Sequence, residues 1–401
     1  MLTRVFKAFQ YRDYRLMWIG ACASSIGTWM QKVAQSWLVL TISGSPFLLG
    51  LDAFLGEIPI FLFSLVGGVI ADRIDRRRVL LASQFVQMGC AFLLTALIAF
   101  HVVRVWHILC LSFVAGFAQA FGGPAYQALI PMLVKRNDMP NAIALQSIQF
   151  NVARVIGPVL GGLALTKLGQ VWCFGLNGLS FLAPVISLLM LSARFLPENR
   201  GETIFASMKQ GIGFIRKQSA MEALIALAFL MTALGIPLIT FLPVFAKDVF
   251  QGGPTVFTTF LVVSGMGSIV GALTVAAMGN IRNKGRVALS MLILLGAGMA
   301  GFSLSKSLVL SCFLLFLTGA SLISVFATIN SLVQLITTDE MRGRVMSIYN
   351  VAFRGGMPFG SLTTGWLVPK FTAPIVLAVN GVLLVVLAIY FLVVQRRVAA
   401  L

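Results

Sequence analysis

Charge is what this chain has little of. Asp, Glu, Lys and Arg make up 10% of its 401 residues, against roughly 25% in a soluble domain, too little polar material to cover a water-facing surface. Acidic residues number 12 and histidines 2. No HExxH pair, Walker-type phosphate loop or Ser/His/Asp arrangement is present, which speaks against an enzyme and against ATP-driven transport. His101 and His107 fall together near one end of a connection, as interface histidines do. The five cysteines, Cys22, Cys90, Cys110, Cys173 and Cys312, sit in apolar runs without metal-ligand spacing and read as small buried hydrophobes. No metal or cofactor is expected. A cleavable leader is also missing: the first apolar run is long, contains polar residues and lacks a small-residue cleavage site, so it is expected to remain as a working helix.

What is present is hydrocarbon. Hydrophobic residues reach 59% and the mean hydropathy is +0.96. They fall into runs of about twenty residues or more, the length that crosses an apolar core roughly 30 Å thick. Twelve spans are expected, near 14–42, 47–71, 79–102, 105–134, 141–166, 171–193, 221–245, 256–279, 287–305, 307–336, 345–369 and 373–395. The net charge of +18 raises nucleic acid as a partner, but the basic residues are scattered over short connections. Of 30 Lys and Arg, 22 fall at alternate loops and the termini, including Arg73, Arg76, Arg77 and Arg78, then Lys135 and Arg136, then Arg342 and Arg344. Only Arg104, Lys167, Lys247, Lys306 and Lys370 fall on the other side. That asymmetry is the positive-inside pattern, with both termini cytoplasmic, and it excludes nucleic acid as the reason for the charge.

One connection is longer. Residues 194–220 are polar and basic, and Phe205, Met208, Ile212 and Ile215 recur at helical spacing, so an amphipathic helix on the membrane surface is expected there. It divides the chain into bundles 1–193 and 221–401 of six spans each. An internal repeat agrees: NVARVIGPVLGG, Asn151 to Gly162 with Gly157, Pro158, Gly161 and Gly162, lies in the fifth span. NVAFRGGMPFGS, Asn350 to Ser361, lies in the eleventh, with Gly356 and Gly360 matching Gly157 and Gly161. Two such halves with a site between them form an alternating-access design.

The second span ends in GGVIADRIDRRRVLL, Gly67 to Leu81. Small residues there allow helices to approach, Asp72 can face the positive end of another helix, and the arginines are expected at the headgroups. The run Gly68-x-x-x-Asp72-Arg73-x-Asp75-Arg76-Arg77-Arg78 resembles the loop signature of the major facilitator superfamily, with Asp75 where the common pattern has glycine. The fifth-span motif resembles the family's antiporter motif. With GTWMQKVAQSWLVLTISGSPFLLG, Gly27 to Gly50, the chain looks like the branch that holds enterobactin exporters and macrolide efflux proteins. The resemblance implies an all-α membrane fold of two pseudo-symmetric six-helix bundles in a bacterial inner membrane, exporting small amphipathic molecules by proton antiport. It also implies a latch role for Asp72 against the start of the eleventh helix, near Arg342 and Arg344. The fourth span has Ser112 about where many drug antiporters carry arginine, so the proton pathway of those antiporters does not carry over by this residue. A proton-independent facilitator or a lysophospholipid-type lipid transporter is the alternative. A monomer bathed in membrane lipids is expected.

Five ionisable residues lie well inside spans: Lys32, Asp52, Glu57, Arg154 and Arg354. A central charge costs roughly 2.5–3.5 kcal/mol on insertion scales, so each needs a partner or a wet cavity. Glu57 lies about 15 Å from the outer end of its span and Arg354 about 14 Å from the inner end of its own; the resembled fold packs the second helix beside the eleventh, which implies a Glu57–Arg354 pair, with Lys32–Asp52 as an outer pair. Arg154 has no carboxylate at its depth; it meets an anionic substrate or donates to carbonyls at the Gly157–Pro158 break. In the resembled fold the first, fourth, seventh and tenth helices line the cavity, which nominates Trp29, Gln31, Gln35, Gln119, Tyr126, Gln127, Thr232, Asn330 and Gln334. Each is alternatively polar glue between helices. Reporter fusions test the expected orientation: a fluorescent protein at either terminus should fluoresce and a periplasmic phosphatase there should be inactive. An active phosphatase at one terminus would break the assignment.

Overall fold

The computed structural model describes residues 6–191, 204–279, 283–338 and 340–401. The side chains of Asp72, Phe205 and Met208 lie outside the described set, as do Arg194 and Arg200. Every regular element among the described residues is helical: α1 Arg12–Ser43, α2 Pro46–Arg73, α3 Arg76–Ala99, α4 Val105–Leu133, α5 Met139–Lys167, α6 Gln170–Ser180, α7 Leu182–Leu189 and α8 Ile204–Arg216. They continue as α9 Ser219–Gly235, α10 Pro237–Val244, α11 Pro254–Met278, α12 Lys284–Leu304, α13 Leu308–Ile336, α14 Arg342–Phe371 and α15 Ala373–Ile389. This is what hydrocarbon demands, because a helix satisfies its backbone N–H and C=O groups within itself.

Among the described residues, 10 helical stretches are long and apolar enough to cross a membrane, from Pro46–Ala71 to Ala373–Val394. The expected first and eleventh spans, α1 and α14, are long at 32 and 30 residues but fall outside that set, their apolar runs diluted by Ser, Thr, Gln and Gly as well as by Lys32 and Arg354. Two expected spans are interrupted. The sixth breaks at Phe181 between α6 and α7, where Ser180 Oγ donates to the Asn177 carbonyl at 2.7 Å and competes with the ladder. The seventh breaks before Pro237, which has no N–H to continue α9.

The chain packs as two compact units, Met1–Ser43 with Leu55–Gly201, and Gly44–Phe54 with Glu202–Leu401. In the first, the tight reversal at Gly169 (φ 88°) uses a backbone conformation that favours glycine. Its basic end is plugged by Tyr14, Met17, Leu80, Leu129, Leu133, Leu145 and Leu188, all buried. The plug is pinned by Tyr14 Oη donating to the Ala142 carbonyl at 2.8 Å and Trp18 Nε1 to the Leu145 carbonyl at 2.9 Å. In the second unit the centre is aromatic, with Phe245 and Phe302 at 4.8 Å and Phe260 edge-on to Phe302 at 5.6 Å.

Both units use glycine for the same task. A Cβ on Gly157 or Gly161 of α5 would run into Trp29, Met30 and Val33 of α1, and one on Gly356 or Gly360 of α14 would run into Phe229, Thr232 and Ala233 of α9. The repeated glycines therefore seat each motif helix directly on a neighbour's backbone. A second device recurs: Gly116 of α4 lies on Gly56 of α2, and Gly319 of α13 lies on Ser264 of α11. At the end of α2 the close approach to Ala120 belongs to Gly67, whereas a Cβ on the motif's Gly68 would meet nothing.

The linker helix α8 departs from expectation. It packs against α14, with Gly211 facing Ile348 and Arg344, and Ile215 is buried while Ile212 is exposed. Its apolar stripe is used at least partly for protein packing and not wholly for lipid. Gly360→Ala should destabilise the purified protein by about 1–3 kcal/mol through overpacking, read as a fall in Tm. Gly213→Ala, in α8 with open space around it, should leave Tm level or raise it. Equal loss from both would contradict the packing role.

Candidate functional site

The first unit carries a continuous polar chain through its apolar interior. Asn177 Nδ2 of α6 donates to Gln31 Oε1 at 2.6 Å, Gln31 Nε2 to Gln35 Oε1 at 3.3 Å, and Gln35 Nε2 to Ser112 Oγ of α4 at 2.8 Å. Gln31 and Gln35 stand one helical turn apart on α1, so both face the same side and each takes a partner from a different helix. Two of the nominated cavity residues are thus also glue between α1, α4 and α6. Ser112, at the place where many of the resembled antiporters carry arginine, accepts the last of these three bonds.

Next to it lies charge. Lys32 Nζ is 3.7 Å from Glu57 Oε1, and the Glu57 side chain is 25% exposed. The same ammonium stands 5.2 Å from the centre of the Trp29 ring, whose edge faces Phe150 at 6.2 Å. Counting residues along each helix did not select the Lys32–Glu57 contact: it gives depth but not the face each helix turns to its neighbour. Asp52 is buried at 8% exposure and belongs to the second unit, as does Arg354, exposed in the middle of α14. Arg154 is partly buried in the middle of α5.

The remaining nominated residues divide. Gln119 is exposed and accepts from Gln87 Nε2 at 3.2 Å, and Gln87 in turn reaches Ser83 Oγ at 3.0 Å. Tyr126 packs against the apolar plug at the basic end, and Gln127 is exposed. Thr232 does not line a cavity. It is fully buried, donates to Ala228 and Phe229 of its own helix and packs against Gly356. Asn330 and Gln334, hydrogen-bonded to each other, line a concavity of about 650 Å³ in the second unit together with Phe326, Ala327, Ser331, Leu335 and Arg342. Its size and its mix of one ring, amides and a guanidinium suit a small molecule. Phe326 is backed by Phe353 at 4.5 Å.

The basic loop does more than meet headgroups. Arg76 Nε donates to the Ala71 carbonyl and its Nη1 to the Ala128 carbonyl, each at 3.1 Å, while Arg77 Nη2 donates to the Leu189 carbonyl at 2.8 Å. These arginines satisfy carbonyls near the ends of α2, α4 and α7, where the helix dipole is negative. Asp75 caps α3 by accepting from the Arg77 N–H at 2.9 Å, a role glycine has no side chain to fill. Arg73 and Arg78 are exposed.

Sequence reasoning missed Asp138. Almost wholly buried at 5% exposure, it meets Lys7 Nζ and Tyr11 Oη at 2.7 Å each and Gln10 Nε2 at 3.2 Å, clamping the start of the chain to the α4–α5 loop. Its hydrogen bond and then its charge hold the Lys7 ammonium above the ordinary lysine value. The available signal was an acid in the otherwise basic run Lys135–Arg136–Asn137–Asp138. Within the relay, Asn177→Leu removes the donor to Gln31 and should cost about 1–3 kcal/mol of stability, while Asn177→Gln should restore part of it. An unchanged Tm for Asn177→Leu would show the relay carries no structural weight.

Comparison with known proteins agrees with this architecture. The profile of a family described as transmembrane secretion effector, within the major facilitator superfamily, matches residues 3–400. A staphyloferrin A transporter of Staphylococcus aureus is 25% identical over 93% of this chain and 94% of its own length. A macrolide efflux protein A of Streptococcus pyogenes is 21% identical over 95% and 96%, and an enterobactin exporter of Shigella boydii is 24% identical over 95% and 91%. Among solved structures, a bacterial homologue of the human lysosomal transporter Spinster superposes with a TM-score of 0.78 at 14% identity, covering 96% of each chain. The chain belongs to the transmembrane secretion effector family of the major facilitator superfamily: it is a multi-pass bacterial membrane transporter of small molecules and not an enzyme.

Proposed function

We propose that this transporter exports small amphipathic molecules from the cytoplasm by proton antiport with alternating access. In this reading twelve transmembrane helices form six-helix bundles, 1–193 and 221–401, joined by the linker 194–220. The protein lies in the inner membrane with both termini cytoplasmic, and Asp72 serves as a conformational latch. The observation that carries the proposal is the Lys32–Glu57 pair at 3.7 Å beside the Gln31–Gln35–Ser112 relay. Protonating Glu57 removes one charge and with it most of the attraction to Lys32. That loss of attraction favours a helix arrangement in which the two side chains need not meet. Gain and loss of H⁺ at Glu57 thereby couples to opening and closing.

The cargo class is read from the ring pair of the first unit and the lining of the concavity in the second. Trp29 with Phe150 in one unit, and Phe326 with Asn330, Gln334 and Arg342 in the other, offer rings and amides with few charges, which suits bulky molecules with an apolar body and a polar edge. Relatives named for siderophores and macrolides fit that range. The test uses proteoliposomes with the interior acidified and a panel of a macrolide, a catecholate siderophore and amphipathic dyes. At least one should accumulate in response to the pH gradient, and Glu57→Gln should abolish the response while sparing downhill exchange. Accumulation that ignores the gradient, equal in both proteins, would overturn proton antiport. No accumulation of any compound would overturn the cargo class.

A further inference from the structure

Within the spans there are three cations and two carboxylates, one positive charge in excess. Lys32 is matched by Glu57, and Asp52 and Arg354 each take part in interactions of their own. Arg154 alone of the five has no hydrogen bond or ion pair among the described residues. A cation in a spanning helix without a partner is costly and calls for a reason.

Its surroundings supply no compensation. Arg154 stands about 22 Å along α5 from Met139 and about 20 Å from Lys167, too deep for its stem to carry the guanidinium to either headgroup layer. No carbonyl near the Pro158 break accepts from it. The polar residues just before it on α5 are committed elsewhere: Asn151 Nδ2 donates to the Ser147 carbonyl at 2.8 Å, and Gln149 Nε2 to Ser25 Oγ at 2.8 Å and to the Ala21 carbonyl at 3.1 Å. The helix itself is rigidly placed, since Ala153, Gly157 and Gly161 are buried and the two glycines press on α1. Residues one turn to either side of Arg154 on α5 meet an aromatic pair. Phe150, one turn earlier on α5, meets Trp29 edge-on at 6.2 Å, and Trp29 also packs on Gly157, one turn later.

We propose that Arg154 is the attachment point for an anionic group of the cargo, so that the site takes a small organic anion with an aromatic or apolar body. The carboxylate or phenolate would accept the planar fork of guanidinium donors, and the ring would lie against Trp29 and Phe150. The cargo's own charge cancels the excess cation, which makes the loaded state the electrically balanced one. This deepens the exporter reading by naming the charge of the cargo, but it does not depend on proton coupling.

The test is therefore an equilibrium one, without any gradient. The full-length protein in detergent is titrated with salicylate and, separately, with uncharged salicylamide, following the rise in Tm that a ligand selective for the folded state produces. Salicylate should raise Tm saturably and salicylamide should not. Arg154→Gln should weaken the apparent salicylate affinity by roughly tenfold or more, with Arg154→Lys in between as a check that the site is still folded. Arg216→Gln, on the exposed end of α8, should bind as the unaltered protein does. Equal loss in Arg154→Gln and Arg216→Gln would mean diffuse attraction to a basic protein. That result, stabilisation by salicylamide as strong as by salicylate, or undiminished salicylate binding by a folded Arg154→Gln, would overturn the proposal. Loss of gradient-driven transport in the proteoliposome assay with salicylate binding intact would instead strike the antiport reading alone.

Discussion

In hydrocarbon a charged side chain has no water to turn to, and this one constraint organises the molecule. Backbone polarity is absorbed by helices, terminal carbonyls of the helices are met by arginines, and charges inside the spans are either paired or placed where something else must meet them. The Lys32–Glu57 contact is the clearest case. Its two members come from successive helices of the first unit, so any change in the charge of one alters how α1 and α2 hold together.

Packing supplies the rigidity against which such a change can act. Glycines bring α5 onto α1 and α14 onto α9 at backbone contact, and a second set brings α4 onto α2 and α13 onto α11. Without a hydrophobic force between helices in lipid, close approach and interhelical hydrogen bonds are what remain. Small residues along helix faces and the amide–hydroxyl relay from Asn177 to Ser112 provide both. At the basic end, Arg76, Arg77, Asp75 and Asp138 tie helix ends and loops together, so the signature loop is a structural staple as well as a charge marker.

Much of this was legible from residue order. Apolar runs gave the helices to within a few residues, since length and hydropathy directly measure fitness to span. The repeat at Gly157 and Gly356 pointed to two similar halves, but the close seating of each motif helix on its neighbour's backbone came only with the structure. The breaks at Phe181 and Gly235–Pro237 were not anticipated, because interruption of an apolar run depends on a local side-chain hydrogen bond or a proline whose effect neighbouring helices can absorb. Depth counting suggested which charges are central but not how helices rotate about their axes, so it did not choose Glu57 for Lys32. Thr232 looked like a lining residue only because its helix was nominated; its own face turns inward against Gly356. Asp138 was invisible to a search restricted to charges within spans.

If the Lys32–Glu57 pair is the element whose charge state sets transport, exchanging its two charges should preserve the function that either change alone destroys. Gradient-driven uptake into proteoliposomes would be compared for Lys32→Glu, Glu57→Lys and the double exchange, each at equal reconstituted protein. The account predicts that both single variants fall to background and that the double variant recovers a substantial part of the rate. A double variant no better than the singles, with all three folded, would contradict it.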